Sequence, residues 1–164
     1  MSIETAIIHK ELDLIQDVVK RQATNSFQVK TWMMGIVTAI LAFKNDEIFS
    51  AGKTPGHHGL WISLVLLLPI ICFWYLDAFY LQTEKIYREL YKWVVVNRPD
   101  KTELLYDLNT FKRKNYQTNG EPVEDLKAKA GSVWKVMFSV TLRTFYLIPL
   151  IFVLALAAYN LILK

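Results

Sequence analysis

The chain has 164 residues, enough for one domain, and at 53% hydrophobic and 13% aromatic, with mean hydropathy +0.23, it falls toward the membrane class. Its 6 Gly and 5 Pro are too few for a turn-rich β architecture, and a net charge of +4 is weaker than the basic face of a nucleic-acid binder of this size. Cys72, the single cysteine, excludes an intramolecular disulfide and a cysteine-based metal site.

The first stretch, SIETAIIHKELDLIQDVVKRQ, carries acids and only short apolar runs, so it does not read as a secretory leader. It reads as an amphipathic helix within residues 1–24. Ile8, Leu12, Ile15 and Val19 form one stripe at three- and four-residue spacing, widened by Leu14 and Val18. Glu11, Asp13 and Asp17 disfavour an anionic lipid surface, so the stripe is expected to pack on protein.

Three apolar runs follow. TWMMGIVTAILAF, residues 31–43, rises only about 20 Å as a helix, short of a hydrocarbon core of about 30 Å. Adding NSFQVK, with Lys30 snorkelling, extends the first span to residues 25–43. The second run, LWISLVLLLPIICFWYL, has no charge between Leu60 and Leu76, and AFYL continues it past Asp77 to give a span over 60–81. The third, TFYLIPLIFVLALAAYNLIL, covers residues 144–163, and Pro149 implies a kink or local break rather than an end.

Basic residues set the expected orientation. The loop over 44–58 balances two lysines against Asp46 and Glu47, whereas residues 83–143 hold 12 Lys or Arg, and Lys20, Arg21 and Lys30 precede the first span. The positive-inside rule then puts the N-terminus and residues 83–143 in the cytoplasm, and the 44–58 loop and Lys164 on the outer side. Trp61 and Tyr159 are read as the outer aromatic boundary, and Trp74, Tyr75, Tyr80, Phe145 and Tyr146 as the inner one.

Beyond residue 81, QTEKIYRELYKWVVV keeps a helical period, with Thr83, Tyr87, Leu90 and Val94 on one stripe and Glu84–Arg88 and Lys85–Glu89 as solvated i,i+4 pairs. One helix from Leu60 to Val96 is expected, ended by Asn97-Arg98-Pro99-Asp100, although WVVV could also pair as a short strand. A short helix over KTELLYDLNTF, a polar loop turning at Asn119-Gly120, and a helix from about Pro122 into the third span complete the segment. The two cytoplasmic stripes are expected to pack together, partly between subunits, because one chain has little soluble mass to cover them. The expected fold is all-α: three transmembrane helices, an N-terminal amphipathic helix and a cytoplasmic extension of the second span.

Asp77 is the anomalous residue. A carboxylate at the end of an apolar run needs water or a partner. Asp77 lies 17 residues from Leu60, a helical depth of roughly 26 Å, and Lys30 lies 13 residues from Phe43, roughly 20 Å. Three readings stay open: a hydrated residue at the inner boundary, a buried pairing with Lys30 or Arg143 that fixes helix register, or a proton or cation site.

Motifs for chemistry are missing. There is no G-x-x-x-x-G-K-[ST], G-x-S-x-G or H-E-x-x-H, and no arginine stands four to six residues ahead of His57 or His58 as in HEPN-type ribonucleases. Adjacent imidazoles lack a third ligand, so His57 and His58 read as loop residues. Lys112, Arg113 and Lys114 could contact phosphates of a nucleotide or lipid headgroup, though juxtamembrane basics more often carry the topology signal. A non-enzyme without cofactor or metal is expected.

The linked stretches RQATNSFQVKTWMMGIVTAILAF and FWYLDAFYLQTEKIYRELY, within residues 21–91, resemble the RipA-like family of small octameric bacterial membrane proteins. The shared pattern is an N-S-F-x-x-K-x-W entry and a W/F-x-L-D-A-x-[FY]-L-x-x-E exit. It makes Asn25, Ser26, Phe27, Lys30, Trp32, Asp77, Tyr80 and Glu84 the family positions here. The resemblance implies a ring-shaped homo-octamer and, more distantly, membrane effectors or accessory proteins of antiviral defence. Two functions are therefore expected: a pore or membrane-perturbing effector gated from its cytoplasmic part, or a non-conducting scaffold anchoring a cytoplasmic protein. The partners are other copies of the chain and the bilayer, with no nucleic acid.

Overall fold

The computed structural model describes residues 5–44, 58–98, 104–110, 117–118, 121–122, 126 and 130–162. Two long helices dominate: α1, Thr5–Phe43, and α2, His58–Asn97. A two-residue antiparallel pair follows, β1 (Gln117–Thr118) with β2 (Glu121–Pro122), then a short α3, Val133–Met137, and α4, Val140–Ile162. The Asn119-Gly120 turn and the Lys112-Arg113-Lys114 cluster lie outside the described residues.

The expected amphipathic helix and first span are one element. Nothing between Thr5 and Phe43 interrupts the backbone hydrogen-bond ladder; Gly35 is the only helix-weakening residue, and no proline occurs. The second helix likewise passes through Pro69, whose ring nitrogen has no proton to donate to the ladder, and ends where Asn97 Nδ2 donates to the Trp93 carbonyl at 2.9 Å. The WVVV stretch is therefore helical, not a strand. In α4 the ladder also continues past Pro149, and the helix begins at Val140, four residues before the expected start of the third span.

The chain divides into two compact units. The first comprises Met1–Ser26 and Phe79–Val136; the second comprises Phe27–Ala78 and Met137–Lys164. In the first, Ile15 of α1 packs with Ile86, Leu90, Trp93 and Val94 of α2 and with Leu126 and Ala130, flanked by Leu12, Tyr87, Tyr91, Leu104 and Leu108. Ile15, Leu90 and Val94 are almost fully enclosed, and removing each such side chain from water contributes about 1.5–3 kcal/mol. The two apolar stripes thus cover one another within a single chain. The sequence argument underestimated the cover because residues 104–130 add Leu104, Leu108, Leu126 and Ala130 to it. Ile8 and Val19, at the stripe's ends, stay half-buried.

Residues 104–110 form no helix, contrary to the propensity of KTELLYDLNTF. Leu104 and Tyr106 adopt left-handed φ values of 60° and 59°, and Asp107 Oδ1 accepts from Asn109 N at 2.8 Å as an Asx turn. Tyr87 Oη donates to the Leu108 carbonyl at 2.9 Å. Side chains from α1 and α2 thus take the backbone groups that a helix would have used.

The run from Pro122 into the third span is also interrupted. Gly131 has φ +82°, a conformation that glycine adopts without strain, and its carbonyl accepts from Gln82 Nε2 at 2.6 Å. Ser132 then caps α3, its Oγ accepting from Lys135 N at 3.2 Å.

In the second unit each long helix buries a stripe at near four-residue spacing. These are Val29, Met33 and Val37 of α1, Leu66, Ile70, Trp74 and Ala78 of α2, and Leu142, Tyr146, Val153 and Leu156 of α4. The helix breaks after Met137, and its freed carbonyl accepts from Trp74 Nε1 at 2.9 Å.

Candidate functional site

The second unit brings one polar side chain from each long helix to a single point. Lys30 of α1 sets its Nζ 2.6 Å from Asp77 Oδ2 of α2, and Tyr146 Oη of α4 donates to the same oxygen at 3.1 Å. Asp77 has no solvent exposure, whereas 23% of the Lys30 side chain remains exposed. The Phe73 carbonyl lies 3.3 Å from the tyrosine hydroxyl, but a charged acceptor at shorter distance holds the hydroxyl proton more strongly.

Local structure explains why these three meet. Asp77 follows Ile70 and Trp74 on the buried stripe of α2, and Tyr146 follows Leu142 on that of α4. Lys30 sits beside Val29 and Met33 on α1, at the edge of the buried face, so its stem can lie along protein while the ammonium reaches inward. Rings enclose the site. Trp74 stacks on Tyr146 at 5.8 Å and 8°, Phe138 meets Trp74 edge-on at 5.5 Å, and Lys30 Nζ lies 6.0 Å from the centre of the Phe145 ring.

These contacts bear on the boundary and pairing readings of Asp77. The carboxylate is enclosed, so hydration at a boundary does not account for it. Its basic partner is Lys30; Arg143 is exposed one turn before Tyr146 on α4. Trp74 and Tyr146 are buried against each other beside the charge pair. Tyr146 was not legible as a site residue, although its place on the Leu142–Val153–Leu156 stripe pointed inward.

The first unit holds a second buried pair. Arg98 Nε donates to Glu11 Oε2 at 2.7 Å and Nη2 to Oε1 at 2.5 Å, a bidentate contact with both side chains enclosed. The pair also fixes the turn: Tyr106 N donates to Glu11 Oε1 at 3.2 Å, and Arg98 Nη2 to the Leu104 carbonyl at 3.2 Å. Sequence reasoning placed Glu11 among the acids that disfavour an anionic lipid surface and Arg98 in a helix terminator. The missed signal was that Glu11 shares the helical face of Ile15 and Val18.

The remaining positions of the two quoted stretches differ in burial. Asn25 and Tyr80 are half-buried, Ser26 is buried, and Phe27 and Trp32 are largely exposed. Glu84 is buried rather than solvated and accepts from Arg88 at 2.6 Å, while Glu89 pairs with Lys92 at 2.6 Å instead of Lys85. Among the described residues no three His, Cys, Asp or Glu side chains converge in a way that could hold a metal ion.

Three helices, α1, α2 and α4, are by length and composition apolar enough to cross a membrane, the pattern of the multi-pass helical membrane class. No protein-family model, curated protein or solved structure matches it, so the resemblance to RipA-like proteins rests on the two quoted stretches.

Proposed function

We propose that the protein is a non-enzymatic homo-oligomer of the bacterial inner membrane in which copies of α1 surround an axis, forming a pore gated from a cytoplasmic first unit. The supporting observation is a stripe on α1: Gln28, Thr31, Gly35, Thr38 and Ala42 recur at three- and four-residue spacing, and all are exposed. Beside this stripe α1 exposes Phe27, Trp32 and Met34, while the exposed residues of α2 include Trp61, Leu64, Val65, Leu68 and Ile71 and those of α4 Ile148, Ile151, Phe152 and Leu154. Those two faces suit lipid, whereas an amide, two hydroxyls and uncovered backbone suit water. The resemblance to RipA-like proteins sets an octamer as the expected size.

A second reading draws on the same stripe. Small residues at this spacing let helices approach closely, so the stripe could instead be sealed between copies in a non-conducting scaffold that holds a cytoplasmic protein. Single cysteines at positions 31, 35 and 38, in a Cys72→Ser background, separate the two. Reaction with a charged thiol reagent together with altered conductance in planar bilayers supports the pore. Disulfide cross-links between copies without conductance support the scaffold. Protection from the reagent with no cross-link means that the stripe faces lipid, which overturns both.

A further inference from the structure

Within the first unit, α1 and α2 border a groove of about 490 Å³ lined by Gln16, Val19, Lys20, Arg88, Tyr91 and Lys92. The same i, i+3, i+4 spacing occurs on both helices, so each gives one turn to the wall. Such a volume suits a small molecule. A docked helix would need a wall several turns long.

The wall combines two chemistries. Val19, the Tyr91 ring and the methylene stems of the long side chains make the wall largely apolar, and three of its lining residues, Lys20, Arg88 and Lys92, end in cationic heads. Each head has a carboxylate neighbour on its own helix: Asp17 at 3.8 Å from Lys20, Glu84 at 2.6 Å from Arg88, and Glu89 at 2.6 Å from Lys92. Lys20 and Lys92 remain mostly exposed and their pairs are weak, whereas Arg88, itself exposed, is held by the buried Glu84 and presents only the rest of its guanidinium fork. None of the three pairs joins α1 to α2, whereas an anion in the groove could engage cations from both.

We propose that this groove binds an organic phosphate monoester, with its head against Arg88, Lys92 and Lys20 and its flat or apolar body against Tyr91 and Val19. A guanidinium fork matches two phosphate oxygens at once, and a dianionic head repays three cations better than a carboxylate does. The face of a tyrosine ring accepts either a base or an alkyl chain. The site does not depend on whether the membrane spans conduct. A soluble nucleotide and a phosphate-headed lipid share this chemistry.

Two probes distinguish those sources. The 164-residue chain, in nanodiscs of zwitterionic lipid, is titrated separately with adenosine 5′-monophosphate and with dihexanoyl phosphatidic acid, using adenosine and dihexanoylglycerol as uncharged counterparts. Saturable binding of at least one phosphate probe, with Kd below about 1 mM, is expected, and it should weaken about tenfold or more in Arg88→Gln/Lys92→Gln. Binding of the nucleotide alone identifies the soluble source, binding of the lipid alone the membrane source, and binding of both the shared chemistry. Val19→Trp, which fills the groove without touching the cations, should block the same probe. The proposal is overturned if neither phosphate probe saturates, if the uncharged counterparts bind as well, or if the Arg88→Gln/Lys92→Gln protein binds like the parent. Arg88→Lys/Lys92→Gln, which removes the guanidinium fork but keeps a cation beside the buried Glu84, should weaken binding as well and decides the matter if the other variants fail to fold.

Discussion

Lys30 and Asp77 form a 2.6 Å ion pair in which the acid is completely enclosed and the base keeps a route to solvent. Breaking a fully buried pair by removing one partner costs about 3–5 kcal/mol, and the exposed part of Lys30 lowers the expected cost to about 2–3 kcal/mol. Lys30→Asp and Asp77→Lys should therefore each lower thermal stability in detergent, and the combined swap should recover most of the loss. Additive damage in the double variant would show that the pair does not carry the effect.

Tyr146 contributes a ring and a hydroxyl that can be separated. Tyr146→Phe keeps the stack on Trp74 and removes only the hydrogen bond to Asp77, for an expected loss of about 1.5–3 kcal/mol. Tyr146→Ala should cost more, because the cover over the charge pair goes with the ring. Equal losses in unfolding titrations would mean that packing contributes nothing beyond the hydroxyl.

In the first unit, Glu11→Gln leaves a buried guanidinium without its counter-charge, with an expected cost of about 3–5 kcal/mol. Replacing both partners, Glu11→Leu with Arg98→Met, should be milder than the single change. Hydrogen exchange at the Tyr106 amide reads the local consequence, since that N–H donates to Glu11. It should exchange faster in both variants, including the one whose global stability is largely restored.

Gly131→Ala tests the break before α3. A Cβ there would meet the Lys135 stem at an ordinary 3.4 Å, so steric overlap is minor and the cost comes from φ +82°. A loss of about 1–2 kcal/mol is expected for alanine, and less for Gly131→Asn, because asparagine tolerates the left-handed region. If asparagine is no better than alanine in a melting experiment, backbone conformation is not the cause.

Periodicity and apolar runs made α1, α2 and α4 legible, because such runs over roughly four to six turns have few alternatives to a helix. Even so, the sequence offered no reason to join residues 1–24 to the first span, since a change from mixed polarity to apolar looks the same with or without a break. The site was half legible. Asp77 announced itself by its surroundings, and Lys30 by its helical depth. Tyr146 was hidden because an aromatic residue at the end of a span suits either a membrane boundary or an interior. Glu11 and Arg98 were less legible still, since each has ordinary neighbours and their meaning lies in a contact spanning 87 positions. The turn over residues 104–110 failed for the same reason: local propensity favoured a helix, and distant side chains claimed its backbone groups.

The contact between Glu11 and Arg98 also sets an order of events during synthesis. The two positions are 87 residues apart, which at ordinary translation speeds is a delay of roughly 4–17 s. Throughout that interval the new chain carries an acid without its partner on the face of α1 that also bears Ile15 and Val18. During the same interval the apolar parts of α1 and α2, residues 27–78, emerge from the ribosome. An unpaired carboxylate resists entry into hydrocarbon, so Glu11, with Asp13 and Asp17, opposes entry of the early part of α1 into a bilayer during that interval. When Arg98 arrives, the acid that served as a temporary barrier becomes the interior of the first unit.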